Sequence, residues 1–129
     1  MAAPREKRQW ERVPAVYALG FERYVGGNKV SEDTAHCLNL SGRGIAFETR
    51  QRIELNDTVV IWLMNVYYTL RARGAVKHAE RTEHDTYVVG VQLQSMLEGD
   101  WRTLERDVAL LRKLQDQTES KPTDKSLDE

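Results

Sequence analysis

Two arginines near the start of the chain, Arg8 and Arg12, stand four positions apart in Lys-Arg-Gln-Trp-Glu-Arg. A guanidinium group is planar and permanently charged. It can therefore meet the two adjacent acceptors of a guanine Hoogsteen edge at once, or fork onto a phosphate. A lysine ammonium lacks this fork. We predict that residues 1–12 form a flexible arm that presents both arginines to an anionic ligand containing purines.

A short polar segment about thirty positions later supplies complementary groups. It reads Asn39-Leu40-Ser41-Gly42-Arg43-Gly44, the pattern Asn-x-Ser-x-x-Gly. Asn39 offers one acceptor and two donors, Ser41 a rotatable hydroxyl, and Gly44 a backbone that a ligand can approach closely. Successive amides from Gly42 onward could form an anion-binding concavity. These are also ordinary turn residues, so a purely structural role for the segment stays open.

The two motifs, in this order and in a β-rich chain, resemble the signature of PilZ domains, bacterial receptors for the second messenger cyclic di-GMP. That signature is Arg-x-x-x-Arg followed by Asp/Asn-x-Ser-x-x-Gly, and the resemblance spans roughly residues 7–94. It implies a six-stranded antiparallel β-barrel, with the arm across its outside and a C-terminal α-helix beside it. It also implies cyclic di-GMP as the ligand, no further cofactor, and five principal ligand-binding residues: Arg8, Arg12, Asn39, Ser41 and Gly44.

Three positions depart from the family pattern, and with Gly42 they form a second rank of ligand candidates. Lys7 stands where many members have an arginine; it supplies charge without the fork, so one or two ligands per subunit both remain possible. Arg43 replaces a common glycine and either adds a phosphate contact or points into water. His78 stands where a tryptophan often lies against a guanine, and it either stacks on a base or faces solvent.

Composition sets limits on the class of protein. The chain has 129 residues, 40% of them apolar, which suits one domain with a single modest core. Cys37 is the single cysteine, so a reducing compartment is expected. The start of the chain lacks an apolar signal segment, and the longest apolar run, Val59 to Met64, is too short to span a bilayer. These features predict a cytoplasmic protein without membrane insertion.

Charge is unevenly distributed along the chain. Residues 115–129 contain five acidic residues and two lysines, a net charge of −3, so the other 114 residues carry +2 of the total of −1. A domain with this small excess of positive charge suits a small dianion better than a long polyanion, which usually binds a broad basic face. Duplex DNA is therefore not expected as a partner.

The pattern of apolar residues has a period of two over most of the chain and predicts an all-β fold. One stripe runs from Val13 to Phe21, and Gly26-Gly27-Asn28 follows it as a turn. Short strands are predicted near residues 36–40, 44–49, 59–64, 70–77 and 89–93, with polar turns at 54–57 and 82–85. Six short strands are best closed into a barrel, which we place at residues 13–94.

The period becomes helical near the C-terminus and predicts an α-helix over residues 95–114. Its N-cap is either Ser95, with Glu98 completing a capping box, or Asp100. An apolar stripe either packs the helix on the barrel or forms a dimer seam, so a monomer or a weak homodimer is expected. The stripe comprises Leu97, Trp101, Leu104, Val108 and Leu111. Residues 115–129 are predicted to be a disordered acidic tail.

Other chemistry has little support in the sequence. Ser41 lacks the context of a nucleophile elbow, and no glycine-rich loop precedes a helix, so an enzyme is not expected. The three histidines and Cys37 match no metal-ligand spacing, so no metal site is predicted.

The resemblance therefore favours a receptor that changes the conformation of its arm on binding and signals to an unidentified effector protein. Motility, biofilm formation and exopolysaccharide synthesis are the processes that such a receptor would regulate. Two alternatives remain. One is a PilZ-like adaptor that contacts proteins without binding the messenger. The other is a single-stranded nucleic-acid binder that uses Tyr67, Tyr68, Arg71 and Arg73.

Overall fold

The computed structural model describes residues 13–15, 17–64 and 68–128, with side chains throughout except at Met64 and residues 118–128. Seven strands and one long helix make up this part of the chain. In order they are β1 (Val13–Pro14), β2 (Ala18–Val25), β3 (Asn28–Leu40), β4 (Gly44–Thr49), β5 (Thr58–Met64), β6 (Thr69–Arg81), β7 (Tyr87–Glu98) and α1 (Trp101–Asp128).

Six of the strands close into an antiparallel barrel. Strand β2 pairs with β3 and β5, β5 with β6, β6 with β7, β7 with β4, and β4 with β3, which completes the circle. The seventh strand, β1, adds to the end of β3, where Val13 pairs with Leu40 and Pro14 with Asn39. The predicted six-stranded barrel with a C-terminal helix is confirmed.

Every second residue of a strand faces the interior of the barrel, and these residues build its core. Phe21 and Phe47 are fully buried, and their rings lie 5.1 Å apart across the interior. The predicted stripe that starts at Val13 is buried at four of its five positions, with Tyr17 partly exposed. It is not one continuous strand, because a short irregular segment separates β1 from β2. Cys37 N donates to Tyr17 O there at 2.8 Å, which keeps the segment beside β3.

Several strands are longer than predicted. Strand β3 has 13 residues, and its first part, from Asn28 to Thr34, is exposed or only partly buried at every position. Strand β6 also has 13 residues and ends in an exposed stretch. Both projecting ends are polar on both faces, so they lack the apolar alternation from which strands are predicted.

The helix begins later and ends later than predicted. Ser95 and Leu97 belong to β7, where Ser95 pairs with Arg73, so the capping box at Ser95 and Glu98 is wrong. Gly99 takes a positive φ of 88°, and Asp100 then caps the helix by accepting a 2.8 Å hydrogen bond from Thr103 N. The helical backbone continues to Asp128, beyond the predicted end at residue 114.

The first turns of α1 lie over one end of the barrel. Leu104 is 1% exposed, and it lines a small apolar cavity with Leu40, Leu63, Leu70 and Met96. This arrangement agrees with the interpretation in which the helix packs on the barrel. Within the described residues, none of the helical structure is both long enough and apolar enough to cross a membrane.

Candidate ligand site

The polar turn between β3 and β4 is held together by Ser41. Its backbone N–H donates to Gly44 O at 2.9 Å, and its hydroxyl accepts a 3.3 Å hydrogen bond from Arg43 N while lying 3.5 Å from Gly44 O. The residue is only 6% exposed. In this structure the Ser41 hydroxyl therefore builds the turn, and its rotatable O–H is engaged within it.

The two glycines of the turn lie in close surroundings. A Cβ on Gly44 would lie 3.2 Å from both Ser41 Oγ and Val91 O, so a side chain there would require these neighbours to shift by a few tenths of an ångström. Gly42 is buried, and its carbonyl accepts a 2.9 Å hydrogen bond from Arg43 Nη1. Both glycines thus serve the local geometry of the turn.

A β-bulge determines which way Asn39 points. Cys37 pairs with Phe47 and Asn39 with Ala46, so Leu38 is an extra residue in β3. If the strand alternated regularly through Leu38, Asn39 would share the inward face of Cys37. With the bulge, Leu40 returns to the core at 0% exposure and Asn39 faces outward beside Ala46. The bulge therefore directs the Asn39 side chain to the barrel surface.

Asn39 and His78 lie at opposite ends of one row across four strands. Asn39 pairs with Ala46, Ala46 with Gly90, and Gly90 with His78. The next row along the barrel consists of core residues, which places this one on the outer face: Leu40, Ile45, Val91 and Val76. Three strand spacings separate the two ends by about 14 Å. Between them Ala46 contributes only a methyl group and Gly90 no side chain, so the row forms a smooth floor.

His78 stands at the far edge of this floor. Its side chain is 59% exposed, and its Nε2 lies 3.3 Å from Glu80 Oε1 on the same strand. A Cβ on Gly90 would come within 3.3 Å of His78 Cβ, so the two residues are immediate neighbours. The imidazole faces outward, as both of its predicted roles require.

Arg43 makes contacts that neither sequence interpretation included. Its guanidinium carbon lies 4.2 Å from the centre of the Trp101 ring, and its Nη1 lies 3.2 Å from Glu105 Oε2. The expected alternatives were a phosphate contact or a side chain in water. In the structure Arg43 instead joins the polar turn to the first turns of α1.

Lys7, Arg8 and Arg12 lie outside the described residues. The first described residue, Val13, pairs with Leu40, and Pro14 pairs with Asn39. The chain therefore enters the described structure directly beside the polar turn. The remaining predicted site residues are gathered at this one end of the barrel surface, with His78 at the other side of the floor.

A sequence model of the PilZ domain matches residues 6–110, most of the chain. The chain belongs to the PilZ domain family. No curated protein sequence matches the chain significantly. The matched range contains the arm motif, the polar turn and the whole barrel, so the family assignment covers every element of the candidate site.

Solved structures share the PilZ fold of this chain. The inhibitor of motility MotI/DgrA from Bacillus subtilis aligns with a TM-score of 0.68 and 15% identity, over 84% of this chain and 52% of that one. The PilZ domain of YcgR from Escherichia coli with c-di-GMP aligns with a TM-score of 0.61 and 12% identity, over 89% of this chain and 98% of that one. The MrkH–c-di-GMP complex from K. pneumonia aligns with a TM-score of 0.59 and 15% identity, over 88% of this chain and 54% of that one. The chain thus spans about half the length of MotI and MrkH.

One contact of the PilZ barrel with its helix was missed at the sequence level. The Tyr17 hydroxyl lies 3.2 Å from both carboxylate oxygens of Asp107, which is only 8% exposed. Tyr17 immediately precedes β2, and Asp107 lies on the face of α1 that carries Leu104. An acidic residue among the apolar positions of a helix was the available signal, because a buried carboxylate requires a donor.

Cys37 is held unreactive by the PilZ core. It is 4% exposed, and burial raises the pKa of its thiol to about 12, although a hydrogen bond with the backbone of Asn39 opposes this rise. A thiol with so high a pKa carries almost no thiolate at neutral pH. Among the residues that the structure describes, no group of three or more potential metal ligands comes together.

Proposed function

We propose that this PilZ domain is a receptor for cyclic di-GMP, and that the ligand docks on the floor between Asn39 and His78 while Arg8 and Arg12 close over it. The pairing of Pro14 with Asn39 carries this proposal, because it brings the arm-bearing end of the chain to the polar turn. Family membership supports it. The YcgR and MrkH structures, both with c-di-GMP, support it as well through the shared fold.

The reach of the arm is sufficient for this role. Arg12 is bonded to Val13, so their Cα atoms are about 3.8 Å apart. Arg8 is five residues from Val13 and can lie up to about 17 Å away in an extended chain. The floor is about 14 Å wide. Arg8 can therefore reach across the whole floor, whereas Arg12 can reach only its side near Asn39.

The floor suits a flat, dianionic ligand. Ala46 and Gly90 present little side-chain bulk, so a purine ring can lie close to the strands there. Asn39 offers its amide to a base edge at one side, and His78 offers an imidazole face at the other. Arg8 and Arg12 supply bidentate contacts to guanine edges and phosphates, and Lys7 adds charge.

The polar turn acts chiefly through its shape in this proposal. Ser41, Gly42 and Gly44 hold the turn beside the ligand, and Arg43 transmits its position to α1 through Trp101 and Glu105. A ligand that prefers the closed arm shifts the equilibrium by its differential affinity, without any covalent step. The change in surface is then read by an effector protein that controls motility, biofilm formation or exopolysaccharide synthesis.

Calorimetric titration with cyclic di-GMP tests the proposal. Arg8→Ala, Arg12→Ala and Asn39→Ala should each weaken binding, because one bidentate contact is worth roughly 1–3 kcal/mol, or about 5- to 150-fold. Arg102→Ala is the matched control, since Arg102 is an exposed arginine of α1. Binding that is unchanged in all three site variants would refute the clamp. A folded wild-type protein that releases no heat would favour the adaptor without a messenger.

A further inference from the structure

A second depression lies on another part of the barrel surface, over β2, β5 and β6. Its volume is about 580 Å³, within the range of roughly 300–1,000 Å³ of ligand-binding clefts. The lining residues are Tyr24, Gly27, Thr58, Val60, Arg71, Arg73 and Leu97. None of them belongs to the row between Asn39 and His78. We call this depression the arginine cleft.

The floor of the arginine cleft is apolar. Val60 faces outward, because its strand neighbours Val59 and Ile61 belong to the core cluster, yet Val60 is only 3% exposed. Leu97 is 39% exposed at the side of the cleft. It is the extra residue of a β-bulge in β7, where β7 pairs with β6. The accessible apolar surface of the cleft is therefore at its side, on Leu97, while Val60 is already covered.

Two guanidinium groups stand on this floor without carboxylate partners. Arg71 and Arg73 are two positions apart on β6, so both point to the outer face. Neither forms an ion pair with any carboxylate in the described part of the chain. The guanidinium carbon of Arg71 lies 5.0 Å from the centre of the Trp62 ring. Its Nε is buried and finds no hydrogen-bond acceptor among the described residues, so the cleft holds one unsatisfied donor.

One acidic residue beside the cleft, Glu22, is already engaged. Glu22 pairs with Val60 on β5, and Val60 pairs with Arg73 on β6, so Glu22 and Arg73 lie two strands apart in one row. The Glu22 carboxylate binds Lys29 Nζ at 3.1 Å and accepts a 2.9 Å hydrogen bond from the Tyr24 hydroxyl. Burial raises the pKa of Glu22, and the hydrogen bonds from Lys29 and Tyr24 more than offset this, so the pKa is lowered overall. Glu22 is therefore an anion whose direct contacts are with Lys29 and Tyr24, and the charge of Arg71 also helps to lower its pKa, whereas Arg73 forms no ion pair with it.

We propose that the arginine cleft binds an acidic side chain of a protein partner, in a segment where an apolar residue stands next to the acid. A carboxylate accepts two parallel hydrogen bonds from a guanidinium, and the exposed Arg73 presents such a group in the cleft. The adjacent apolar residue packs against Leu97, which is 39% exposed. The cleft thereby provides a surface for a protein partner, and its binding does not depend on cyclic di-GMP.

A nucleic-acid strand fits the arginine cleft less well. Glu98 pairs with Arg71 in the sheet, and Glu32 pairs with Glu22, so carboxylates stand on both sides of the two guanidinium groups. A continuous phosphate backbone would pass over these negative charges, whereas a single carboxylate avoids them. The ring of Trp62 is also already covered by Arg71, so it offers no free face to a base on that side.

Nuclear magnetic resonance on the full-length chain tests this proposal. The probe is the capped peptide Gly-Leu-Glu-Leu-Gly, and the same peptide with glutamine at the centre is its neutral control. We expect saturable shifts of the Gly27, Val60 and Arg73 amides and of the Trp62 indole, with the glutamate peptide binding at least about 5-fold tighter. Arg73→Gln should abolish that preference. Arg50→Gln, which also removes one exposed positive charge, should retain it.

Each other outcome contradicts the proposal. Equal binding of the two peptides, shifts confined to other surfaces, or no saturation at millimolar peptide would show that the cleft does not select a carboxylate. Tighter binding of an octameric oligouridylate with the same shifts would assign the cleft to nucleic acid instead. Arg71→Gln serves as a second variant, and its amide spectrum must first match that of the wild-type fold because Arg71 packs on Trp62.

Discussion

The guanidinium of Arg43 lies over the ring of Trp101, 4.2 Å from its centre, and this contact joins the polar turn to the C-terminal helix. Glu105 adds an ion pair to the same guanidinium at 3.2 Å. The turn belongs to the proposed ligand site, whereas the helix packs on one end of the barrel through Leu104. A displacement of the turn by a ligand would therefore act on the first two turns of α1 directly.

Arg43→Ala should loosen the helix from the barrel. The cation–π contact contributes about 0.5–1 kcal/mol and an exposed ion pair about 0.2–1 kcal/mol, so a total loss of about 1–2 kcal/mol is expected. Urea unfolding measures the loss, and hydrogen exchange should show faster opening near Trp101. Arg50→Ala is the control and should change the free energy of unfolding by less than about 0.5 kcal/mol. Equal exchange rates in both variants would contradict the coupling.

Tyr17→Phe should cost about 1–3 kcal/mol of stability, because it removes a donor from the buried carboxylate of Asp107. Asp107→Asn removes the charge that needs this donor, so the double variant should lose less than the sum of the two single losses. Thermal or urea unfolding of the four proteins gives the coupling energy. Strict additivity would show that the two side chains do not interact.

Two glycines of adjacent strands should differ in how much an added methyl group destabilises the fold. A Cβ on Gly74 would lie 2.5 Å from Gln92 O, a backbone atom that cannot move away, so Gly74→Ala should destabilise the fold by about 1–3 kcal/mol. Gly90→Ala meets only His78 Cβ at 3.3 Å and should preserve the free energy of unfolding to within about 1 kcal/mol.

Gly90→Val extends that comparison to ligand binding. Valine suits a strand, so the barrel should still form, but its branches would stand in the middle of the proposed floor between Asn39 and His78. We expect calorimetry to show at least about 10-fold weaker binding of cyclic di-GMP. A folded Gly90→Val protein with wild-type affinity would place the ligand elsewhere on the barrel.

Cys37 should make the fold sensitive to alkaline pH. Burial raises the pKa of its thiol from the ordinary value of 9.0 to about 12, so the folded state holds the proton longer than the unfolded state. The resulting stability is fully present below pH 9 and is lost as the pH rises toward 12, by at most about 1.4 kcal/mol per pH unit. Unfolding curves of wild type and Cys37→Ala between pH 8 and 11 should converge as the pH increases. Parallel curves would contradict this.

The barrel could be predicted from sequence because its core follows local alternation, as at Leu19 and Phe21. The polar ends of β3 and β6 could not, since neither of their faces is buried. The same limit applies to the site. The polar turn was visible as a motif, but the floor formed by Ala46 and Gly90 depends on the register between β4 and β7, which brings together residues 44 positions apart. From sequence, Gly90 was accordingly only one position of the strand predicted near residues 89–93.

The helix contacts escaped prediction for a related reason. Arg43 and Glu105 are 62 positions apart, and their contact depends on how α1 lies on the barrel. The N-cap was visible in two versions, of which Asp100 is correct. Ser95 cannot cap the helix because β7 continues to Glu98 beside β6. This strand pairing joins distant segments, so the residues around Ser95 alone do not reveal it.

The extra residue of β3 separates two tasks that a regular strand would merge. Removing Leu38 would restore an unbroken ladder with Cys37 still inward and Asn39 still outward, so the barrel should tolerate the deletion. However, Leu38 O accepts the 3.2 Å hydrogen bond from Ala15 N, and that tether would be lost. The pairing of β1 with β3 would remain, so the deletion would leave an intact barrel with a more loosely held segment after β1, and would show whether binding of the messenger depends on how firmly that segment is fixed.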